Sequence, residues 1–173
     1  MKNWKIDPTH SEVGFKVKHM MFTNVKGLFN DYDATIEFVD DLNDAKVEFE
    51  AKINSIFTNN EDRDTHLKSA DFFDAEQFPS LKFKATSIEG SGSDYKITGD
   101  LTIKGITKPV TLNAEYSGLM TDPWGNTKVG LNLEGKINRK DYGLTYNAAL
   151  ETGGVLVGED VKLNAEIQLV QQK

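Results

Sequence analysis

The sequence predicts an all-β fold: a single extended antiparallel barrel of eight strands, with one short helix inserted around residues 60–72. Strict apolar/polar alternation recurs along nearly the whole chain, and a period of two marks strands with one dry and one wet face. Clusters of Gly, Pro, Asn and Asp separate the alternating runs, as hairpin connections require. An open sheet of this many strands would leave two unpaired edges, whereas closure removes both and gives the apolar faces a common interior.

The elements follow in order. Val13, Phe15 and Val17 alternate with Glu12, Lys16 and Lys18. Residues 28–39 form a second run, whose apolar parity shifts between Phe29 and Tyr32 and predicts a bulge. Ala45, Val47, Phe49, Ala51 and Ile53 form a third, with charged residues between them. Residues 58–73 break the alternation: Asn59 or Asn60 can cap a helix on which Arg63, His66, Leu67 and Ala70 share a face. Alternation resumes at Leu81, Phe83 and Ala85, at Tyr95, Ile97, Leu101 and Ile103, and at Val110, Leu112, Ala114 and Tyr116. It ends with Val129, Leu131, Leu133 and Ile137, then Val161, Leu163, Ala165, Ile167 and Leu169. Turns are expected at 40–44, 90–94, Gly105, 122–126 and Gly153-Gly154. No linker, charge block or repeat divides the chain, so residues 1–173 read as one domain.

Composition narrows the function classes. A net charge of −7 and a pI near 5.0 disfavour nucleic acid, which requires clustered Lys and Arg. The absence of cysteine removes disulfides, thiol nucleophiles and Cys-based metal sites. No apolar run approaches the roughly 20 residues that span a bilayer. The opening Met1-Lys2-Asn3-Trp4-Lys5-Ile6-Asp7 has no signal-peptide core, which predicts a cytoplasmic location, or a periplasmic one if a leader has been removed. Neither a nucleophile elbow nor a phosphate-loop motif is present, and three histidines without ligand spacing disfavour zinc; the sequence predicts a binding protein rather than an enzyme, with no cofactor and no metal. Gly90-Ser91-Gly92-Ser93 lies between alternating runs and needs no role beyond a turn.

At about eight strands a barrel interior is either just filled by side chains or holds one small ligand. Inward positions mix bulky Phe15, Phe49, Phe83, Leu101, Leu131 and Leu133 with small Ala51, Ala85, Gly99, Ala114, Gly135 and Ala165, which permits a partly vacant tunnel and a packed core alike. His19 follows the parity of Val17 and points inward.

Several ordered motifs resemble the YceI family of bacterial lipocalin-like proteins. They are Trp4-Lys5-Ile6-Asp7-Pro8-Thr9-His10-Ser11, Gly14-Phe15-Lys16-Val17-Lys18-His19, Arg63-Asp64-Thr65-His66-Leu67 with Phe72-Phe73-Asp74, Gly99-Asp100-Leu101-Thr102-Ile103-Lys104-Gly105, Arg139-Lys140-Asp141-Tyr142-Gly143 and Gly158-Glu159-Asp160-Val161. The resemblance implies a lipocalin-like barrel whose apolar tunnel binds a polyisoprenoid, an isoprenoid quinone or a similar amphiphilic lipid. True lipocalins differ: here Trp4 lacks the accompanying Gly, and the helix is internal.

On this reading the ligand's chain lies against Val13, Phe15, Val17, Phe49, Phe83, Leu101, Leu131, Leu133 and Ile167. His19, Arg63, His66, Arg139 and Tyr142 are candidates for its head group or for the tunnel opening, where Trp124 is a further candidate. For the two arginines, ion pairs with neighbouring Asp62, Asp64 or Asp141 are the structural alternative, and for the aromatics, packing. The competing functions are an enzyme acting on such a lipid and a filled barrel serving structure or interaction. The resemblance also carries the expectation of a homodimer, and transient contact with a membrane is expected beside it.

Overall fold

The protein is described from a computed structural model covering residues 1–148 and 156–173. Eight antiparallel strand courses close into a barrel, and the first three are broken. Course one comprises β1 (Lys2–Ile6) and β2 (Glu12–His19), course two β3 (Thr23–Phe29) and β4 (Tyr32–Phe38), and course three β5 (Lys46–Lys52) and β6 (Ile56–Phe57). Helix α1 (Glu61–Lys68) follows, then β7 (Ser80–Ser91), β8 (Asp94–Ile103), β9 (Ile106–Tyr116), the two-residue β10 (Met120–Thr121), β11 (Thr127–Asn138) and β12 (Val157–Gln171). β12 closes the barrel: it pairs with β11 on one side, and with β2 and then β1 on the other.

The breaks have local causes. Asp7 accepts from the Thr9 N–H and precedes Pro8, which has no N–H, so the chain turns for three residues before β2. The ladder to β12 survives because Asp7 N donates to the Gln168 carbonyl and Gln168 N donates to Ser11 Oγ. At the same level, residues 28–39 are not one bulged strand: Asn30 and Asp31 leave the ladder and bond Ser55 and Lys52 across the break in course three. The first strand, β1, was invisible to periodicity because Trp4 and Ile6 are its only apolar positions.

The helix is shorter than the expected 60–72. Asn60 caps it by accepting from Arg63 N at 3.0 Å, and Ser69 ends it with extended backbone and an Oγ bond to the His66 carbonyl. Ala70, expected on its inner face, lies beyond its end and is exposed. The β8–β9 turn places Lys104 and Gly105 at φ 53° and 76°, the paired positive values of a tight hairpin. The turn expected at Gly153-Gly154 lies outside the described residues.

The up-and-down course sorts the connections into two ends. Residues 20–22, α1, the β8–β9 turn and residues 139–148 share one end; residues 39–45, the β7–β8 turn, β10 and both termini share the other. The latter is plugged. Trp4 stacks on Phe38 with ring centroids 4.6 Å apart and donates to its carbonyl, and Leu42, Tyr116, Val129 and Leu169 bury around the pair. Among the described residues no helix is long and apolar enough to cross a membrane.

Candidate functional site

Above the plug the barrel is not filled. A cavity of about 390 Å³ runs along its interior, bordered by Ile36, Leu42 and Leu169 at the plugged end and by His19, Arg63, His66, Tyr146 and Val157 at the other. Between Val157 and Leu169 a tilted strand descends roughly 30 Å along the barrel axis. That volume over that depth makes a narrow channel, the shape of a chain rather than of a compact molecule, in the usual range for ligand sites of roughly 300–1,000 Å³.

Glycine keeps the channel open. Phe15 lies across Gly27 on the neighbouring strand and Phe83 across Gly99, each so closely that a Cβ on the glycine would collide with the ring. The rings therefore lie flat on the wall and do not cross the lumen. The wall they help form is apolar: Val13, Val17, Phe49, Leu101, Leu131, Leu133 and Ile167 face the cavity, in the inward parity that the alternation predicts. The interior thus follows the vacant alternative rather than the filled one.

The ionisable groups gather at the end opposite the plug, which we take as the channel's opening. Lys18, His19, Arg63, His66 and Arg139 border the cavity, and among the described residues no Asp or Glu does. In a chain with 27 acidic and 20 basic residues this is a segregated lining. Its groups are donors or potential cations, suited to an anionic or acceptor-bearing head.

Contacts divide the candidates. Arg139 is 3 % exposed, and every guanidinium nitrogen donates to backbone: Nε to the Gly158 carbonyl, Nη1 to those of Leu144 and Tyr146, Nη2 to that of Val157. It forms no ion pair with Asp141, the alternative read from sequence; it clasps both ends of the β11–β12 connection. Burial lowers its pKa from the ordinary value and nearby Glu159 opposes this. Arg63 donates through Nε to Thr58 Oγ1 and through Nη2 to the Thr58 carbonyl, while Asp64 accepts from the same threonine's N–H and hydroxyl. This knot ties α1 to the end of β6; Arg63 borders the channel, and its Nη1 makes no hydrogen bond among the described residues. His66 meets Asp71 at 2.9 Å and stands edge-on to Phe72 and Tyr146, forming an aromatic group over the opening.

Two candidates for the opening lie elsewhere. Tyr142 is 1 % exposed in a core cluster with Leu101, Val110 and Leu144, its hydroxyl unpartnered; burial, helped by Asp141, pushes its pKa up to about 12. Trp124 is 81 % exposed at the plugged end, in the turn before β11. Tyr142 thus follows the packing alternative, at the end of the short helical turn that Gly143 closes, whereas Trp124 sits in an exposed turn with Gly125. Sequence reasoning missed Phe72 and Tyr146, which follow no strand parity, and Lys18, whose outward parity hid its place at the rim.

Comparison with known proteins agrees with this architecture. The family described as "YceI-like domain" matches residues 4–169. A UPF0312 protein of Staphylococcus aureus strain MSSA476 is 41 % identical over 170 residues, 97 % of each chain. The crystal structure of a Campylobacter jejuni YceI protein superposes with a TM-score of 0.78 at 36 % identity over 96 % of each chain. A polyisoprenoid binding domain from Saccharophagus degradans shares the fold at a TM-score of 0.72 and 12 % identity, covering 99 % of this chain and all of that one. With its model matched from the first strand to the last, this chain belongs to the YceI-like domain family.

Proposed function

We propose that the protein binds and carries one long apolar ligand, a polyisoprenoid, an isoprenoid quinone or a similar amphiphilic lipid, with its chain in the channel and its head near the open end. The observation that carries this reading is the narrow apolar cavity of about 390 Å³ with its basic and histidine side chains gathered at one end. Each methylene of such a chain leaving water for that wall gains roughly 0.8 kcal/mol. On this reading Arg63 and His19, which border the channel, meet the head, while Arg139, saturated by carbonyls, shapes the channel's end. Support also comes from the fold shared with a polyisoprenoid binding domain. The role is binding rather than catalysis.

The test is mass spectrometry of organic extracts from protein purified without detergent, followed by titration of stripped protein with geranylgeraniol. A defined isoprenoid in the extract, or saturable uptake of geranylgeraniol, is the expected result. An empty protein that takes up neither geranylgeraniol nor a quinone analogue overturns the proposal, and recovery of a chemically altered ligand would favour an enzyme.

A further inference from the structure

The hairpin between β2 and β3 ends in Met20, Met21 and Phe22, which are 54 %, 63 % and 86 % exposed. Single exposed apolar side chains are ordinary, but three in succession at a protruding tip form a contact surface. Met20 and Met21 occupy left-handed backbone, φ 49° and 63°, where a hairpin favours Asn or Gly. The turn therefore carries large apolar side chains at positions whose backbone disfavours them.

Below this tip a row of lysines crosses the outer face, between exposed Glu159 and Asp160 on the side of the tip and exposed Glu12, Glu134 and Glu166 on the other. Lys136 on β11 pairs with Lys162 on β12, Lys162 with Lys16 on β2, and Lys16 with Lys26 on β3, so four lysines stand opposite one another across four adjacent strands. All four are exposed, and among the described residues only Lys136 has an ion-pair partner, Asp160 at 3.7 Å. Like charges directly opposite across a sheet repel. This row sits on a chain of net charge −7, and an anionic surface would relieve it. Lys16 lies roughly 10 Å below the tip along the barrel axis, within the reach of a snorkelling side chain and about one Debye length. Exposed Glu61 and Asp62 on α1 bound the basic strip on the β3 side.

The β2 end that carries the tip also supplies Lys18 and His19 to the rim of the channel. We propose that the protein docks on an anionic lipid surface through this corner, with Met20, Met21 and Phe22 entering the interfacial layer and the lysine row facing the headgroups. Docking of this kind brings the channel opening to the bilayer, where an apolar cargo resides. The choice of occupant follows from charge complementarity and from the opening's position; the inference deepens the carrier reading and rests on it for its purpose.

The test is co-sedimentation with vesicles of phosphatidylcholine alone and of phosphatidylcholine mixed equally with phosphatidylglycerol, beside solution uptake of geranylgeraniol. The wild-type protein is expected to bind the mixed vesicles, less so as salt rises. Lys16→Ser with Lys162→Ser should lower partitioning onto them roughly 20–30-fold, at about 1 kcal/mol per lysine. Met21→Ser with Phe22→Ser should lower it about tenfold or more, while both variants still take up geranylgeraniol from solution. Trp124→Ser, at the plugged end, should bind as the wild type does. Uptake of geranylgeraniol in solution without vesicle binding overturns docking and spares the carrier reading; tip-dependent vesicle binding without uptake does the reverse. Vesicle binding lost in Trp124→Ser and kept in the tip variant overturns the assignment of this surface.

Discussion

At the residue scale, Arg139 borders the channel as the sequence led one to expect, but its partners were not readable. A buried guanidinium needs acceptors, and an adjacent carboxylate is the obvious one to read from sequence; only the folded connection brings four carbonyls to it. Lys keeps the charge and loses the planar fork, so Arg139→Lys is expected to destabilise by about 2–4 kcal/mol in urea denaturation. Unchanged stability with weakened ligand binding would instead identify Arg139 as a head-group contact. The channel wall gives a second prediction. In Gly27→Ala the new Cβ occupies the place of the Phe15 ring, which must swing into the lumen. Geranylgeraniol affinity is expected to fall about tenfold or more, by roughly 1.4 kcal/mol or beyond, with saturation measured by intrinsic fluorescence. Here the sequence showed small and large inward residues, but not that the Phe15 and Phe83 rings lie on glycines of the next strand, because register depends on the exact hairpin and, for Phe83, on a bulge after Ala85 that periodicity does not reveal.

At the scale of the element, what was legible depended on length. Long strands such as β9, β11 and β12 announce themselves through sustained alternation, whereas β1 and β6 are too short to show a period and are defined by the partners that receive them. The helix was placed correctly at its start, where Asn60 provides a local cap, and overextended at its end, where a side-chain bond from Ser69 stops it. The turn before β11 shows how a local motif acts. Partial burial raises the pKa of Asp122, but bonds from the N–H and side chain of Asn126, from Lys128 and from the Trp124 N–H outweigh it and bring the carboxyl down to about 2. A folded-state pKa below the unfolded value of about 3.9 means that the stabilisation is complete above pH 4 and is lost as pH falls towards 2. Stability measured across that window should therefore drop more steeply in the wild type than in Asp122→Ala. Parallel curves would show that this carboxylate titrates alike in both states.

At the scale of the whole molecule, closure and the open channel make one argument. Alternation identified which faces look inward, and the count of strands limited the interior to a filled core or a single ligand; neither could decide between them, since vacancy depends on how rings and glycines meet across strands. Replacing Ala165, which borders the cavity beside Leu133 and Val13, separates the two functions experimentally. In a filled barrel, Ala165→Trp would overpack and cost about 1–3 kcal/mol. In a barrel with room along its axis, the indole enters unoccupied space, so the ligand-free protein should lose little or even gain. The carrier reading then predicts a loss on the other side of the linkage. Ligand at a hundred times its Kd stabilises the native state by about 2.7 kcal/mol, a Tm rise of roughly 5–11 °C for a chain of this size. Wild-type protein should show that rise with geranylgeraniol, and Ala165→Trp should not. A variant that unfolds readily without ligand would return the interior to the filled reading, whereas one that keeps both its stability and its ligand-induced shift would place the ligand outside the channel.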